Sequence, residues 1–104
     1  MIQIASSRNG VAIRLTDERW RHIVEEHAEL DGLRGEIMKT ISGAERVLQG
    51  SFGELLAIRM IERGKALVVV YREVGAEDGF VITAFLTRRL TSLNRKQQVW
   101  PFSS

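Results

Sequence analysis

His22 and His27 are the chain's two histidines, and histidine is the side chain best suited to moving a proton near neutrality. They stand five residues apart, about 140° around a helix. One metal ion cannot take both from one helix. The run His22-Ile23-Val24-Glu25-Glu26-His27 also fails the zinc-protease spacings: HExxH needs histidines four apart, and HxxEH is one residue shorter. The chain has no cysteine, which excludes disulfides, thiolate metal sites and a cysteine nucleophile. Gly10, Gly50, Gly53, Gly64, Gly75 and Gly79 fall in turn contexts, without GxGxxG or P-loop spacing. No metal or cofactor is expected. Arg59 stands inside the apolar stretch Leu55 to Ile61, where a charge must reach water or find a partner. The choice there is an ion pair with Glu54 or Glu73, or an anion clamp on an open sheet face. The guanidinium fork matches two phosphate oxygens. Arg72 ends an apolar run, where a solvated edge is the plain reading. Tyr71 before it reads as core with a wet tip. Arg88, Arg89, Arg95 and Lys96 cluster beyond the last core strand, either as edge protection or as contacts for phosphates.

The elements that must position these residues are legible in outline. Ile2 to Ala5 and Val11 to Leu15 read as two short strands. They are joined through Asn9-Gly10, a strong hairpin signal. Thr16 is placed as a helix N-cap, with Asp17 and Glu18 in the first turn. That helix should run to about His27 or Leu30, with Trp20, Ile23, Val24 and His27 on one face. Arg21, Glu25 and Glu26 then face water, and His22 falls on the exposed flank. After Asp31-Gly32, the stripe Leu33, Ile37, Ile41, Ala44 and Leu48 predicts a second helix stopped by Gly50. The rest reads as sheet: Glu54 to Glu62, Ala66 to Arg72 and Phe80 to Thr87, joined by short glycine-bearing turns. Gln98 to Phe102 adds an edge strand, since Pro101 forbids a central place. Thr83 and Thr87 alternate with apolar neighbours and should share a face with Val81 and Phe85. The expected fold is α+β. An N-terminal hairpin and two helices pack on one face of a small antiparallel sheet of three to five strands.

At 104 residues, 44% hydrophobic and 27% charged, the chain fits one globular domain spanning 1–104. No apolar run approaches the ~20 residues that cross a bilayer. The start, MIQIASSRNG, lacks the pattern of a signal peptide. A cytoplasmic protein without a membrane partner is expected. The net charge of +2 conceals an asymmetry. Residues 1–78 hold 11 Lys/Arg against 13 Asp/Glu, a net of −2. Residues 79–104 hold four Lys/Arg and no acid, a net of +4.

Three stretches carry a resemblance. Leu15-Thr16-Asp17-Glu18-Arg19-Trp20-Arg21-His22-Ile23 with His27-Ala28-Glu29-Leu30 is similar to the opening of the phage-associated barnase/EndoU/colicin/RelE-like ribonuclease domains. Those domains resemble the chain again at Leu67 to Arg72 and at Val81-Ile82-Thr83-Ala84-Phe85-Leu86-Thr87. The resemblance spans residues 13 to 100 through short motifs. It implies a RelE/barnase-like fold and metal-independent cleavage of RNA, in which a 2′-OH attacks the adjacent phosphate and the 5′-oxygen leaves. That reaction needs a proton acceptor, a proton donor, and cations or hydroxyls around the phosphorane. It makes His27 the expected acid or base, Arg59 the phosphorane clamp with Arg88 as second choice, and Thr83 the hydroxyl that positions the phosphate. His22, Arg72, Thr87, Arg88, Arg89, Arg95 and Lys96 become candidate RNA contacts. The implied partners are RNA and an antitoxin protein with an acidic segment, for a toxin of a toxin–antitoxin pair or a phage-derived effector. The chain has Ala28 where the family has proline, and Phe85 where it has tyrosine. These departures leave open an alternative: a catalytically inactive member of the same fold that binds RNA or a protein.

Overall fold

Thr16 closes a strand and opens a helix, and much of the architecture follows from that junction. Among residues 1–102, which the computed structural model describes, the order is β1 (Ile2–Ser6), β2 (Ala12–Thr16), α1 (Asp17–Glu26), a 3-10 turn (Ala28–Leu30), α2 (Arg34–Ser42), β3 (Arg46–Gln49), β4 (Leu55–Glu62), β5 (Lys65–Glu73), β6 (Gly79–Thr87), α3 (Leu90–Leu93) and β7 (Gln98–Trp100). The Thr16 hydroxyl accepts the Arg19 N–H at 3.1 Å, meeting one of the donors a helix start leaves free. No helix among these residues is long and apolar enough to cross a membrane.

The fold is α+β, but the sheet is larger than expected and is mixed. Seven strands lie in the order β1-β2-β6-β5-β4-β3-β7. All neighbours are antiparallel except β2 and β6, which run parallel through Ile13 opposite Gly79 and Arg14 opposite Phe80. A parallel neighbour needs a long crossover, and everything from α1 to β5 supplies it. Gly79 permits the close approach. A Cβ there would sit 2.4 Å from the Arg72 carbonyl oxygen and 2.6 Å from Ile13 Cδ1.

The second helix ends earlier than its apolar stripe suggested. Gly43 caps α2, donating its N–H to the Lys39 carbonyl at 2.8 Å. The chain then becomes β3. Val47 enters the core beneath the helices, whereas Leu48 enters the core on the opposite face. Adjacent residues pointing to opposite sides are a strand's geometry, so Leu48 could not continue the helical stripe.

α1 and α2 cover one face of the sheet, where Ile13, Ile23, Ile37, Ile41, Leu67 and Val69 are fully or almost fully buried. Burying each such side chain is worth about 1.5–3 kcal/mol, which holds in place helices too short to stand alone. Tyr71 belongs to this core. It is fully buried, with no hydrogen-bond partner for its hydroxyl among the described residues, so the expected wet tip is not found. Burial pushes its pKa up, with Glu73 adding to the effect. The opposite face carries a smaller core of Leu48, Leu56, Ile58, Ala66 and Val68 beneath Leu93 of α3. The sheet's two edges approach each other beside α2. Arg8 of the β1–β2 turn donates to the Ala44 carbonyl at 2.9 Å and lies 4.2 Å from the centre of the Trp100 ring in β7.

Candidate functional site

β2 pairs with β6 only at its start, and the chain then leaves as α1, which runs on beside the rest of β6. The register of β6 on β5 shifts at this place. Val70 faces Thr83 and Tyr71 faces Val81, leaving Ile82 as the extra residue of a bulge. Its carbonyl is taken by Arg19 of α1, whose Nη1 donates at 3.4 Å. The bulge has a second effect. Val81 and Ala84 both join the helix-side core, so Thr83 and Phe85 turn to the opposite face. Thr83 therefore does not share a face with Val81, as simple alternation predicted.

Between α1 and β6 lies a groove of about 240 Å³ lined by Arg19, His22, Ile23, Glu26, Ile82 and Thr83. Arg19, His22 and Glu26 are spaced i, i+3 and i+7, one flank of a helix. Ile23, next to them, is buried and anchors that flank. The groove thus gathers a guanidinium, an imidazole, a carboxylate and a hydroxyl. His22 is exposed, with Glu25 Oε2 at 3.8 Å and Glu18 Oε1 at 4.0 Å. Such a set can bind an anion and move two protons, one to a base and one from an acid.

The other sequence-derived residues are dispersed. His27 caps the C-terminal end of α1 and is partly exposed. Its ring lies 6.4 Å from that of Phe85, and Nδ1 is 3.9 Å from Glu29 Oε2. His27 does not line the groove with Thr83. Arg59 is directed to the helix-covered face, where it pairs with Glu36 of α2 and donates from Nε to the Thr40 hydroxyl at 3.2 Å. Its partner is neither Glu54 nor Glu73, because α2 lies directly over this part of β4. The Arg59 hydrogen bond, with Lys39 nearby, holds the Glu36 carboxyl below its ordinary value against the opposing effect of burial. Arg59 is thereby occupied on the side of the sheet away from Thr83, and does not meet the groove as a phosphorane clamp.

Arg72 donates from Nη2 to the Phe52 carbonyl at 3.0 Å, securing the β3–β4 loop. In that loop Glu54 accepts the Phe52 N–H at 2.8 Å. This bond, with Arg72 and Lys96 nearby, keeps the Glu54 carboxyl below its ordinary value although burial opposes it. The Thr87 hydroxyl accepts the Arg89 N–H at 3.0 Å, a local turn contact. Arg88 sits 3.6 Å from Glu62, the second choice of clamp drawn to the β4–β5 hairpin. Arg89, Arg95 and Lys96 are exposed and form no ion pair among the described residues.

Arg19 and Glu26 were not singled out by sequence reasoning. Their spacing around His22 is the signal that marks them, but the same spacing describes any solvated flank. Only the departure of β2 turns that flank toward a hydroxyl. Among the described residues no group of three or more His, Asp or Glu side chains is placed to hold a metal ion. Comparison with known protein families, with curated proteins and with solved structures gives no match for this chain.

Proposed function

We propose that this chain is a metal-independent endoribonuclease whose active site is the groove between α1 and β6. The observation that supports this reading is the convergence of Arg19, His22, Glu26 and Thr83 on one groove. In this reading Glu26 takes the proton of an RNA 2′-OH as its oxygen attacks the adjacent phosphorus. The bond from phosphorus to the 5′-oxygen breaks, and protonated His22 supplies that oxygen's proton. Arg19 offsets the charge gathering on the phosphorane, and the Thr83 hydroxyl donates to a non-bridging oxygen. The products are a 2′,3′-cyclic phosphate and a free 5′-hydroxyl. His27, one turn further along, serves the neighbouring nucleotide and not the reacting atoms. The α+β arrangement is compatible with a RelE/barnase-like assignment. An RNA substrate and an antitoxin that covers the groove are the partners this implies.

The purified protein, incubated with mixed RNA in EDTA, should release fragments that end in cyclic phosphate. Thr83→Val should slow that release about tenfold or more, the scale of one lost transition-state hydrogen bond. Absence of cleavage by the wild-type protein, together with no growth inhibition on expression, overturns the proposal. The alternative is an inactive RNA- or protein-binding member of the same fold, and the missing hydroxyl at Phe85 is the observation in its favour. It is distinguished by retained binding to RNA without product.

A further inference from the structure

The bulge at Ile82 places more than Thr83 on the outer side of the sheet. Val70 lies opposite Thr83, and Phe85 opposite Val68. α3 covers only part of this face, seating Leu93 on the core around Val68 with Leu90 beside it. Val70, Thr83 and Phe85 remain partly exposed. They form a partly exposed strip along β5 and β6. At its border Thr83 lines the groove with α1, and Phe85 lies near His27. The segment that carries α3 seats Leu93 on the same face and leaves Arg89, Arg95 and Lys96 exposed, without ion pairs among the described residues. No acidic residue occurs from Gly79 onward.

We infer that this strip is a nucleobase-binding subsite for single-stranded RNA, with one base stacked on Phe85 beside His27 and the flanking phosphates held by the segment 88–96. The inference rests on the reading of the groove as the cleavage site and names where the substrate strand goes from there. Thr83 and Phe85 are two strand residues apart, about 7 Å. A phosphate held at Thr83 therefore leaves an adjoining base within reach of the Phe85 ring. Phe85 and His27 lie 6.4 Å apart between ring centres with planes tilted by 36°, so a base stacked on Phe85 has the His27 ring as its neighbour. Stacking on such a surface tolerates any base. Single strands expose the base faces that a duplex hides. The unpaired cations Arg89, Arg95 and Lys96 provide the backbone contacts, which are sequence-independent and weaken with salt.

The test uses the full chain and a 2′-O-methyl RNA hexamer carrying one 2-aminopurine, which has no 2′-OH to attack and cannot be cut by the proposed route. Wild-type protein should bind it and quench its fluorescence through stacking. Phe85→Leu, which preserves the apolar floor, should lose the quenching and weaken binding about tenfold. Replacing Arg89, Arg95 and Lys96 by glutamine should weaken binding and flatten its salt dependence. Phe85→Trp should restore the quenching. Binding without quenching, or quenching unaltered in Phe85→Leu, overturns the inference. So does equal binding of the hexamer's duplex form. Tighter binding of a poly-glutamate peptide at the same cations also overturns it, and assigns the strip to an acidic protein. Cleavage of unmodified RNA is measured in parallel. Cleavage without hexamer binding leaves the groove reading standing and removes this one, while quenched binding without cleavage does the reverse.

Discussion

His22 and His27 stand in other surroundings than their sequence positions suggest. His27 lies on the apolar side of α1 by spacing, yet it ends against Phe85 at the helix cap. His22 lies on the exposed flank, and that flank meets Thr83 across the groove. An exposed residue can be removed without disturbing the core, which makes its chemistry testable. His22→Gln should lower RNA cleavage about 100- to 10,000-fold, the range for loss of a general acid or base, with an unchanged melting temperature. Equal cleavage rates for variant and wild type would remove His22 from the mechanism. Arg59→Met should behave in the opposite way. Removing the guanidinium leaves Glu36 with Lys39 alone and takes the Arg59 donors from the Thr40 hydroxyl and the Glu36 carbonyl, so the melting temperature should fall. Cleavage per folded molecule should not change, because Arg59 is on the far side of the sheet from Thr83. A cleavage defect in fully folded Arg59→Met protein would return Arg59 to the site.

At the scale of elements, the site depends on two junctions. The first is the Thr16 cap, which sets where β2 stops and α1 begins and so which α1 residues face β6. Thr16→Ala should cost about 1 kcal/mol, the usual loss for an N-cap, read from the midpoint of urea unfolding. It should also reduce cleavage more than a surface substitution of similar cost, since Arg19 receives the cap and lines the groove. The second is Gly79, where β2 and β6 meet. An added methyl presses on the Arg72 carbonyl, which is backbone and cannot rotate away. Gly79→Ala should therefore destabilise by about 1–3 kcal/mol, as for overpacking in a core, on the same denaturation measurement. A neutral result would mean that β2 and β6 separate at no cost.

Across the whole molecule, charge is divided by face. Residues 17–36, from the start of α1 into α2, hold seven of the thirteen acids, and the segment around α3 carries cations alone. Two of those acids tie distant parts together. Asp17 accepts the Met1 amino group at 2.6 Å and Arg34 at 2.7 Å, joining the chain start, α1 and α2. Glu36 joins α2 to β4 through Arg59. Both carboxyls are lowered from ordinary values of 3.8 and 4.5, Asp17 first by the Met1 amino group's hydrogen bond and Glu36 first by that of Arg59. A carboxyl with a depressed folded-state pKa binds protons more readily when unfolded. Its contribution is then fully present above the ordinary value and is lost as pH falls through the depressed one. Thermal stability should thus decline on acidification below about pH 4.5. The double variant Asp17→Asn, Glu36→Gln should start less stable at pH 7 and show a shallower acid decline in melts recorded from pH 7 to pH 3. Parallel declines in variant and wild type would locate the acid sensitivity elsewhere.

The α+β class was legible in the sequence, because it rests on local signals that neighbouring residues enforce. Asn9-Gly10 makes a hairpin, Thr16-Asp17-Glu18 starts a helix, and the aliphatic run Leu67 to Tyr71 pairs as a strand whatever surrounds it. The absence of cysteine and the basic end are likewise properties of composition. Tertiary structure alone decided what those elements bring together. Leu48 has helical spacing from Ala44, but its burial opposite Val47 requires a sheet with cores on both faces. The parallel pairing of β2 with β6 depends on a Cβ missing from a residue 66 positions beyond Ile13. The bulge at Ile82, a matter of register between β5 and β6, turns Thr83 outward. Arg59 finds Glu36 only when α2 lies over β4. Each of these contacts joins residues far apart in the chain, so its energy depends on how distant segments pack and leaves no periodic trace in either segment. For the same reason Arg19, His22 and Glu26 read as a solvated helix flank until β6 is set beside them.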